Sequence, residues 1–271
     1  MSMQVHFIGL NDPLAQKLAE ALLLKACQVT YSHTESVPAI ASLGEKLLFE
    51  TESLSADVSY ILGGTQEDLT TTIKQIKDIG ASLYTHTEWL YEYLRLKSRV
   101  LITGHTDTHG IAAMLSHLFT YIEADIALLS SQGTPTIAED FEDFQVVQSD
   151  FNTSESPLGN YHPNIVVVTS FDERLEEFIS EITLGGILIY NQDDKELSEC
   201  IDNSTIQVRK LGYSLPKYTS NGEESYIETD EGALPLKTTC ISVLYDFEAV
   251  NTLVRHLGID PIDFYEAIVS F

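Results

Sequence analysis

The sequence predicts an α/β protein built from two parallel-sheet domains, and three observations carry that prediction. Short apolar runs alternate with segments whose apolar residues recur at helical spacing, from Gln4 almost to the end of the chain. Glycines stand where such runs end, at Gly9, Gly63, Gly64 and Gly104, as they do where a strand turns into a helix. At 271 residues, 44% of them apolar, the chain is long enough for one large or two ordinary α/β domains.

The elements follow in order. Residues 4–9 read as a strand, and residues 13–25 as a helix with Leu14, Leu18, Ala21 and Leu22 on one face and Pro13 at its first position. Residues 28–31 and 58–64 are further strands. Residues 66–79 have helical spacing through Leu69, Ile73 and Ile76, residues 81–84 form a short strand, and residues 87–97 a helix. This first series reads as a small Rossmann-like domain over 1–97. A second series has strands at 125–130, 144–148, 164–169 and 185–190 and helices at 171–182 and 194–201, with polar loops at 131–142 and 150–162. Residues 207–237 carry two or three shorter strands with turns at Asn221-Gly222 and Glu231-Gly232. A helix over 243–257 and a last short one ending at Phe271 complete a larger domain over 98–271.

Charge narrows the range of functions. Forty-one Asp and Glu against 15 Lys and Arg give a formal charge of −26, which opposes contact with nucleic acid and anionic lipid and favours a solvated acidic surface. Membrane association is not expected. No apolar run is long enough for a bilayer and no leader pattern follows Met1, so the expected location is the cytoplasm. Cys27, Cys200 and Cys240 are odd in number and widely spaced, which predicts buried reduced thiols rather than disulfides. His105, His109 and His117 are close in sequence, but metal-binding helices favour i,i+4 pairs with an acidic partner and His109 to His117 spans eight residues, so no metal site is predicted. Trp89, Tyr91 and Tyr93 read as packing residues where the two domains join.

Residues 99–118 are the most informative stretch: an apolar strand, a turn at Gly104-His105-Thr106-Asp107-Thr108-His109-Gly110, and a helix with Ile111, Leu115 and Leu118. Phosphate loops occupy such a place. They work through wrapped backbone N–H groups, a Lys on the phosphate oxygens and a Ser or Thr on magnesium. This turn has no Lys. The first strand-to-helix turn, Gly9-Leu10-Asn11-Asp12-Pro13, keeps one glycine and places Asp12 where a phosphate would lie.

In the order of its elements and in local wording the chain resembles the Mur ligases, ATP-dependent enzymes that add amino acids or peptides to UDP-N-acetylmuramate, above all their murein-peptide ligase branch. The wording lies at residues 5–9, 28–30, 88–92, 99–118, 163–165, 186–191 and 263–268. The resemblance implies a UDP-binding domain followed by a central ATPase domain, with ATP and magnesium as cofactors. It also implies that the working residues are altered. Thr108 stands at the loop lysine, or Ile111 in a shifted register, and His109 at the magnesium-binding hydroxyl. Gln148 takes the place of the acidic magnesium ligand; Asp150, two residues on, need not point the same way. Ser242, Val243 and Asp246 fall on the nucleotide-holding His-Asn pair and second Asn. Gly9, Asn11 and Asp12 form what remains of the UDP turn, and Tyr31, Ser32 and His33 replace its Gly-Ser-Asp.

The family's third domain would begin beyond Phe271, and the chain is expected to act without it. The expectation is therefore a degenerate ligase with no catalytic residues and no cofactor. It would be a binding or scaffold protein connected with peptidoglycan synthesis or recycling, with a protein partner or a small ligand in the interdomain cleft. The alternative is an ATP-dependent carbon–nitrogen ligase, or a subunit of one, whose atypical site is completed by another chain.

Overall fold

The computed structural model describes residues 3–32, 48–49, 54–64, 69–105, 108–124, 126–130, 133–139, 142–151 and 159–271. The chain opens with β1 (Gln4–Ile8), α1 (Pro13–Leu24), β2 (Gln28–Ser32), β3 (Leu48–Phe49), β4 (Ser59–Leu62), α2 (Thr70–Asp78), β5 (Leu83–Thr85) and α3 (His86–Leu94). The strands form a sheet in the order β3-β2-β1-β4-β5 with every neighbouring pair parallel. Then come β6 (Ser98–Gly104), α4 (Thr108–Tyr121), β7 (Ala127–Leu129), β8 (Phe144–Asp150), β9 (Ile165–Val168), α5 (Leu175–Ser180), β10 (Ile187–Asn191), α6 (Lys195–Asn203) and β11 (Arg209–Tyr213). Their strands form a second parallel sheet in the order β11-β10-β9-β6-β8-β7. A small antiparallel sheet of β12 (Tyr218–Ser220), β13 (Ser225–Thr229) and β14 (Gly232–Leu236) precedes α7 (Ile241–Leu257) and α8 (Pro261–Val269).

Local chemistry explains the boundaries. The Asp12 carboxylate accepts the Ala15 N–H and Pro13 opens α1, while Thr85 and Glu88 form a reciprocal capping box on α3. The unbroken run Ile165–Val168 is buried throughout, as a strand covered on both faces of a parallel sheet must be.

Helix α1 joins the layers. Its buried residues Leu14, Ala15, Leu18, Ala19, Ala21, Leu22 and Leu23 span roughly 200° of the circumference at about 100° per residue, twice the stripe a helix needs to cover one surface. It packs on β2 and α3 and also on β7. One apolar core consequently runs from Val5, Phe7 and Ile61 of the first sheet through α1 and α3 to Leu101, Leu129 and Val147 of the second. Helices α5 and α6 extend that core, α4, α7 and α8 cover the other face of the second sheet, and α2 covers the far face of the first.

Several boundaries differ from expectation. Helix α5 is shorter than 171–182 because the Asp172 side chain folds onto the Arg174 backbone and side chain, and the helix begins only at Leu175. Residues 207–237 hold four strands, the first of which, β11, extends the second parallel sheet instead of standing apart. Strand β8 continues to Asp150, which was expected to open a loop. The cysteines form no disulfide but are not buried either: Cys27 and Cys200 are half-buried and Cys240 is exposed where α7 begins at the surface. Among the described residues no helix is long and apolar enough to cross a membrane.

Candidate functional site

In an open parallel sheet the binding crevice lies beyond the carboxyl ends of strands whose connections depart in opposite directions. Here those strands are β6, which leads through α4 to β7, and β9, which leads through α5 to β10. Gly104 ends β6 against β9: a Cβ on it would lie 1.9 Å from Thr169 Oγ1. The His105 N–H donates to Ser170 Oγ at 2.8 Å and its Nε2 lies 3.0 Å from Asp172 Oδ2. The Arg174 guanidinium, hydrogen-bonded to Asp172 and with its N–H and charge adding to the effect, holds that carboxyl below the usual carboxylate range, and His105 adds to it. Thr106 and Asp107 lie outside the described residues.

At the other end of the turn, α4 begins among oxygen atoms. The Thr108 hydroxyl donates to Asp150 Oδ1. Gln148 Nε2 donates to both Thr108 Oγ1 (3.1 Å) and Asp150 Oδ1 (3.0 Å), and the buried Ser130 hydroxyl donates to Gln148 Oε1 (3.0 Å). His109 Nε2 stands 3.5 Å from Asp150 Oδ2. The expectation that Asp150 need not share the direction of Gln148 is corrected: residues two apart on a strand project from one face, and both side chains meet Thr108. Behind the same helix turn the buried Asp246, on α7, touches Gly110.

A Cβ at Gly110 would lie 2.0 Å from Asp246 Oδ2 and 2.8 Å from its Cγ. Gly110→Ala is therefore expected to cost about 1–3 kcal/mol, the usual penalty of overpacking. Urea unfolding should show a smaller cost in an Asp246→Ala background; equal costs in both backgrounds would mean that the carboxylate yields freely.

In the first sheet, Gly9 takes φ 74°, a left-handed conformation suited to glycine, and Gly63 approaches it so closely that a Cβ would meet Gly9 O at 2.2 Å. The Gly63 carbonyl accepts both the Asn11 and Asp12 N–H groups, at 3.0 and 2.9 Å. Asp12 caps α1 and stands 3.4 Å from His86 Nε2. The Asn11 and Asp12 donors of the turn are thus satisfied within the chain. On β2, Ser32 bonds His6, whose other ring nitrogen meets Thr30, all three buried. His33 lies outside the described residues.

A cleft of about 310 Å³ separates the start of α1 from the carboxyl ends of β7 and β8, and Lys17, His109, Ser130, Gln148 and Asp150 reach it. His117 turns away to Ala267 O and Ser270 Oγ at the end of α8. Among the described residues no three His, Cys, Asp or Glu side chains are grouped to hold a metal ion.

Sequence reasoning overlooked Arg99. Its buried guanidinium donates to the carbonyls of Leu94, Lys97 and His162 and lies 5.0 Å from the centre of the Tyr91 ring. Trp89, buried in the shared core, stacks on Tyr93 at 4.9 Å, Tyr91 meets the His162 ring edge-on at 5.0 Å and Thr87 donates to Gly159 O, whereas Tyr93 itself is exposed. The signal was a charge opening an otherwise apolar strand run, Arg99-Val100-Leu101-Ile102.

No protein-family model matches the chain. It is 25% identical over 241 residues to UDP-N-acetylmuramate–L-alanine ligase of Coxiella burnetii, a match covering 78% of this chain and 50% of that enzyme. The chain spans about half the length of the curated relatives it matches first. Among solved structures it superimposes on UDP-N-acetylmuramate:L-alanyl-gamma-D-glutamyl-meso-diaminopimelate ligase of Neisseria meningitides with a TM-score of 0.76 and 17% identity, covering 100% of this chain and 98% of the other. The murein peptide ligase of Psychrobacter arcticus gives 0.75 and 14%, with coverage of 100% and 68%. At such identities the superpositions establish the fold. In fold, and in sequence over most of its length, the chain resembles the N-terminal and central domains of the Mur ligase family.

Proposed function

We propose that this chain is a catalytically degenerate Mur-ligase-like protein that binds rather than ligates, in connection with peptidoglycan synthesis or recycling. Its two domains divide at residues 97 and 98, and it acts through a small ligand in the cleft or a protein partner. The observation that carries the reading is the network on Thr108. The hydroxyl at the loop-lysine position donates to the chain's own Asp150, and a second carboxylate, Asp246, packs behind the same helix turn. Helix N-termini attract anions. Here the Asp150 carboxylate already stands there, bonded to Thr108, so a polyphosphate would meet repulsion where the family's ATP needs a lysine. The residues present do not fit ATP with magnesium.

One observation favours the alternative, a ligase or ligase subunit completed by another chain: Asp150 brings a carboxylate to the face where the family keeps its acidic magnesium ligand. A melting experiment separates the two. A ligand at about 100 times its dissociation constant stabilises by about 2.7 kcal/mol. Millimolar ATP with magnesium is expected to give no shift, and no phosphate release above a heat-treated control, with Thr108→Lys restoring neither. UDP-N-acetylmuramate is expected to give no shift either, given the bonded Asn11 and Asp12 N–H groups. An ATP-dependent shift lost on mutating Gly104 or His109 would establish the enzyme reading instead.

A further inference from the structure

The turn between β12 and β13 does more than reverse the chain. Of eight asparagines only Asn221 is followed by glycine, and residues 221–223 are exposed at the tip of that hairpin. We infer that Asn221 is a self-modifying site, where the Gly222 nitrogen attacks the side-chain amide and converts the residue into isoaspartate and aspartate. The inference goes beyond the binding reading and does not depend on it.

Electrophile, leaving group and nucleophile are all in place. Asn221 Oδ1 accepts two backbone N–H groups, from Glu223 at 3.0 Å and Glu224 at 2.9 Å, in the side-chain turn to which asparagine is prone. When a nitrogen adds to Cγ, negative charge develops on that oxygen, and two donors at such distances stabilise it as an oxyanion hole does. The amide nitrogen that must leave is loosely held, since Asn221 Nδ2 lies 3.5 Å from the Tyr226 hydroxyl, the limit of a hydrogen bond. Gly222 takes φ 95°, a conformation suited to glycine, and a Cβ on it would meet nothing within 4 Å, so the flank of the nucleophile is bare. Its N–H donates to Ser220 Oγ at 3.3 Å, a long bond at an exposed site that water can replace. Asn203, also exposed and followed by a small residue, lacks such a nucleophile: the Ser204 N–H is committed to the Cys200 and Ile201 carbonyls at the end of α6.

The reaction is a displacement without redox change. Hydroxide removes the Gly222 N–H proton, the nitrogen bonds to Cγ, and the Cγ–Nδ2 bond breaks as Nδ2 takes a proton from water and leaves as ammonia. Water then opens the resulting succinimide. Addition at Cγ gives aspartate, and addition at the main-chain carbonyl carbon gives isoaspartate, whose backbone runs through the former side chain. Either product places a new carboxylate beside Glu223 and Glu224. Isoaspartate also lengthens the turn, which works against the register that pairs Ser220 with Ser225.

Peptide mapping by mass spectrometry of the full chain, kept warm in mildly alkaline buffer, tests the inference. Conversion at Asn221 is expected to run at least about tenfold faster than at any other asparagine, with isoaspartate among the products. It should be no slower in the folded chain than in guanidinium chloride, because the native turn presents both donors to Oδ1. Gly222→Ala should slow it at least about tenfold by displacing the nitrogen from its approach. Should that variant distort the hairpin, the comparison of folded with denatured chain still decides. Conversion no faster at Asn221 than elsewhere, protection of Asn221 by folding, or an unchanged rate in Gly222→Ala would each overturn the inference. So would aspartate as the sole product, which signals direct hydrolysis of the amide by water.

Discussion

Replacing Leu18 with Asp is expected to leave no folded protein, in either half of the chain. Leu18 is fully buried on α1, inside the core that both parallel sheets share. Truncating such a leucine to Ala costs about 2–5 kcal/mol, and an unpaired carboxylate in its place adds several more. Total stability is only about 5–15 kcal/mol. The milder Leu18→Ala variant tells whether the halves are coupled. Hydrogen exchange should accelerate by the same factor in β1 and in β9, and fluorescence of Trp89, the single tryptophan, should follow far-ultraviolet dichroism in one transition. Faster exchange confined to the first sheet would mean that the sheets unfold independently.

Arg99→Met should cost about 3–5 kcal/mol in urea unfolding, because it leaves buried carbonyls without donors at about 1–3 kcal/mol each, less than additively. The carbonyl of Leu94 ends α3, that of Lys97 lies in the turn before β6, and that of His162 lies in the loop before β9. Asn160 and His162 in that loop take left-handed φ values of 66° and 48°, unfavourable for residues with a Cβ, and the guanidinium helps to hold them there. Burial lowers the pKa of the guanidinium, and the Tyr91 face and the carbonyls offset that cost. Arg99→Lys should recover only part of the loss, since an ammonium cannot span the same carbonyls. A loss below about 1 kcal/mol for Met would show that water replaces the guanidinium and that the junction does not depend on it.

The alternation of apolar runs made both parallel sheets legible, since a buried strand such as Ile165–Val168 and a capped helix such as α1 are local matters. Strand β3 was not anticipated, being only two residues long and paired to β2 at the sheet edge. Placing β11 in the large sheet required knowing that it lies beside β10, a pairing no local pattern encodes. At the site, the absence of a loop lysine was plain in the sequence, and the geometry around Thr108 was partly so. The period of two along β8 already puts Gln148 and Asp150 on one face, and only the loop expected from Asp150 onward concealed it. The pairing of Asp12 with His86 and the contact of Asp246 with Gly110 join residues 74 and 136 positions apart, and arise only when the sheets are assembled.

The double coverage of α1 also bears on the order in which the nascent chain can fold. The helix is complete by Leu24, but strand β7, on which its other side rests, is not made until Leu129, and β8 and β9 follow only at residue 168. At about 5–20 residues per second, ribosomes need roughly 7–29 s to travel from the end of α1 to the end of β9. During that interval the first sheet can pair its strands while one flank of α1 still has no protein surface to rest on. Early ribosome-bound chains should therefore depend on chaperones more than the finished protein does, and release from the chaperone should coincide with emergence of the second sheet.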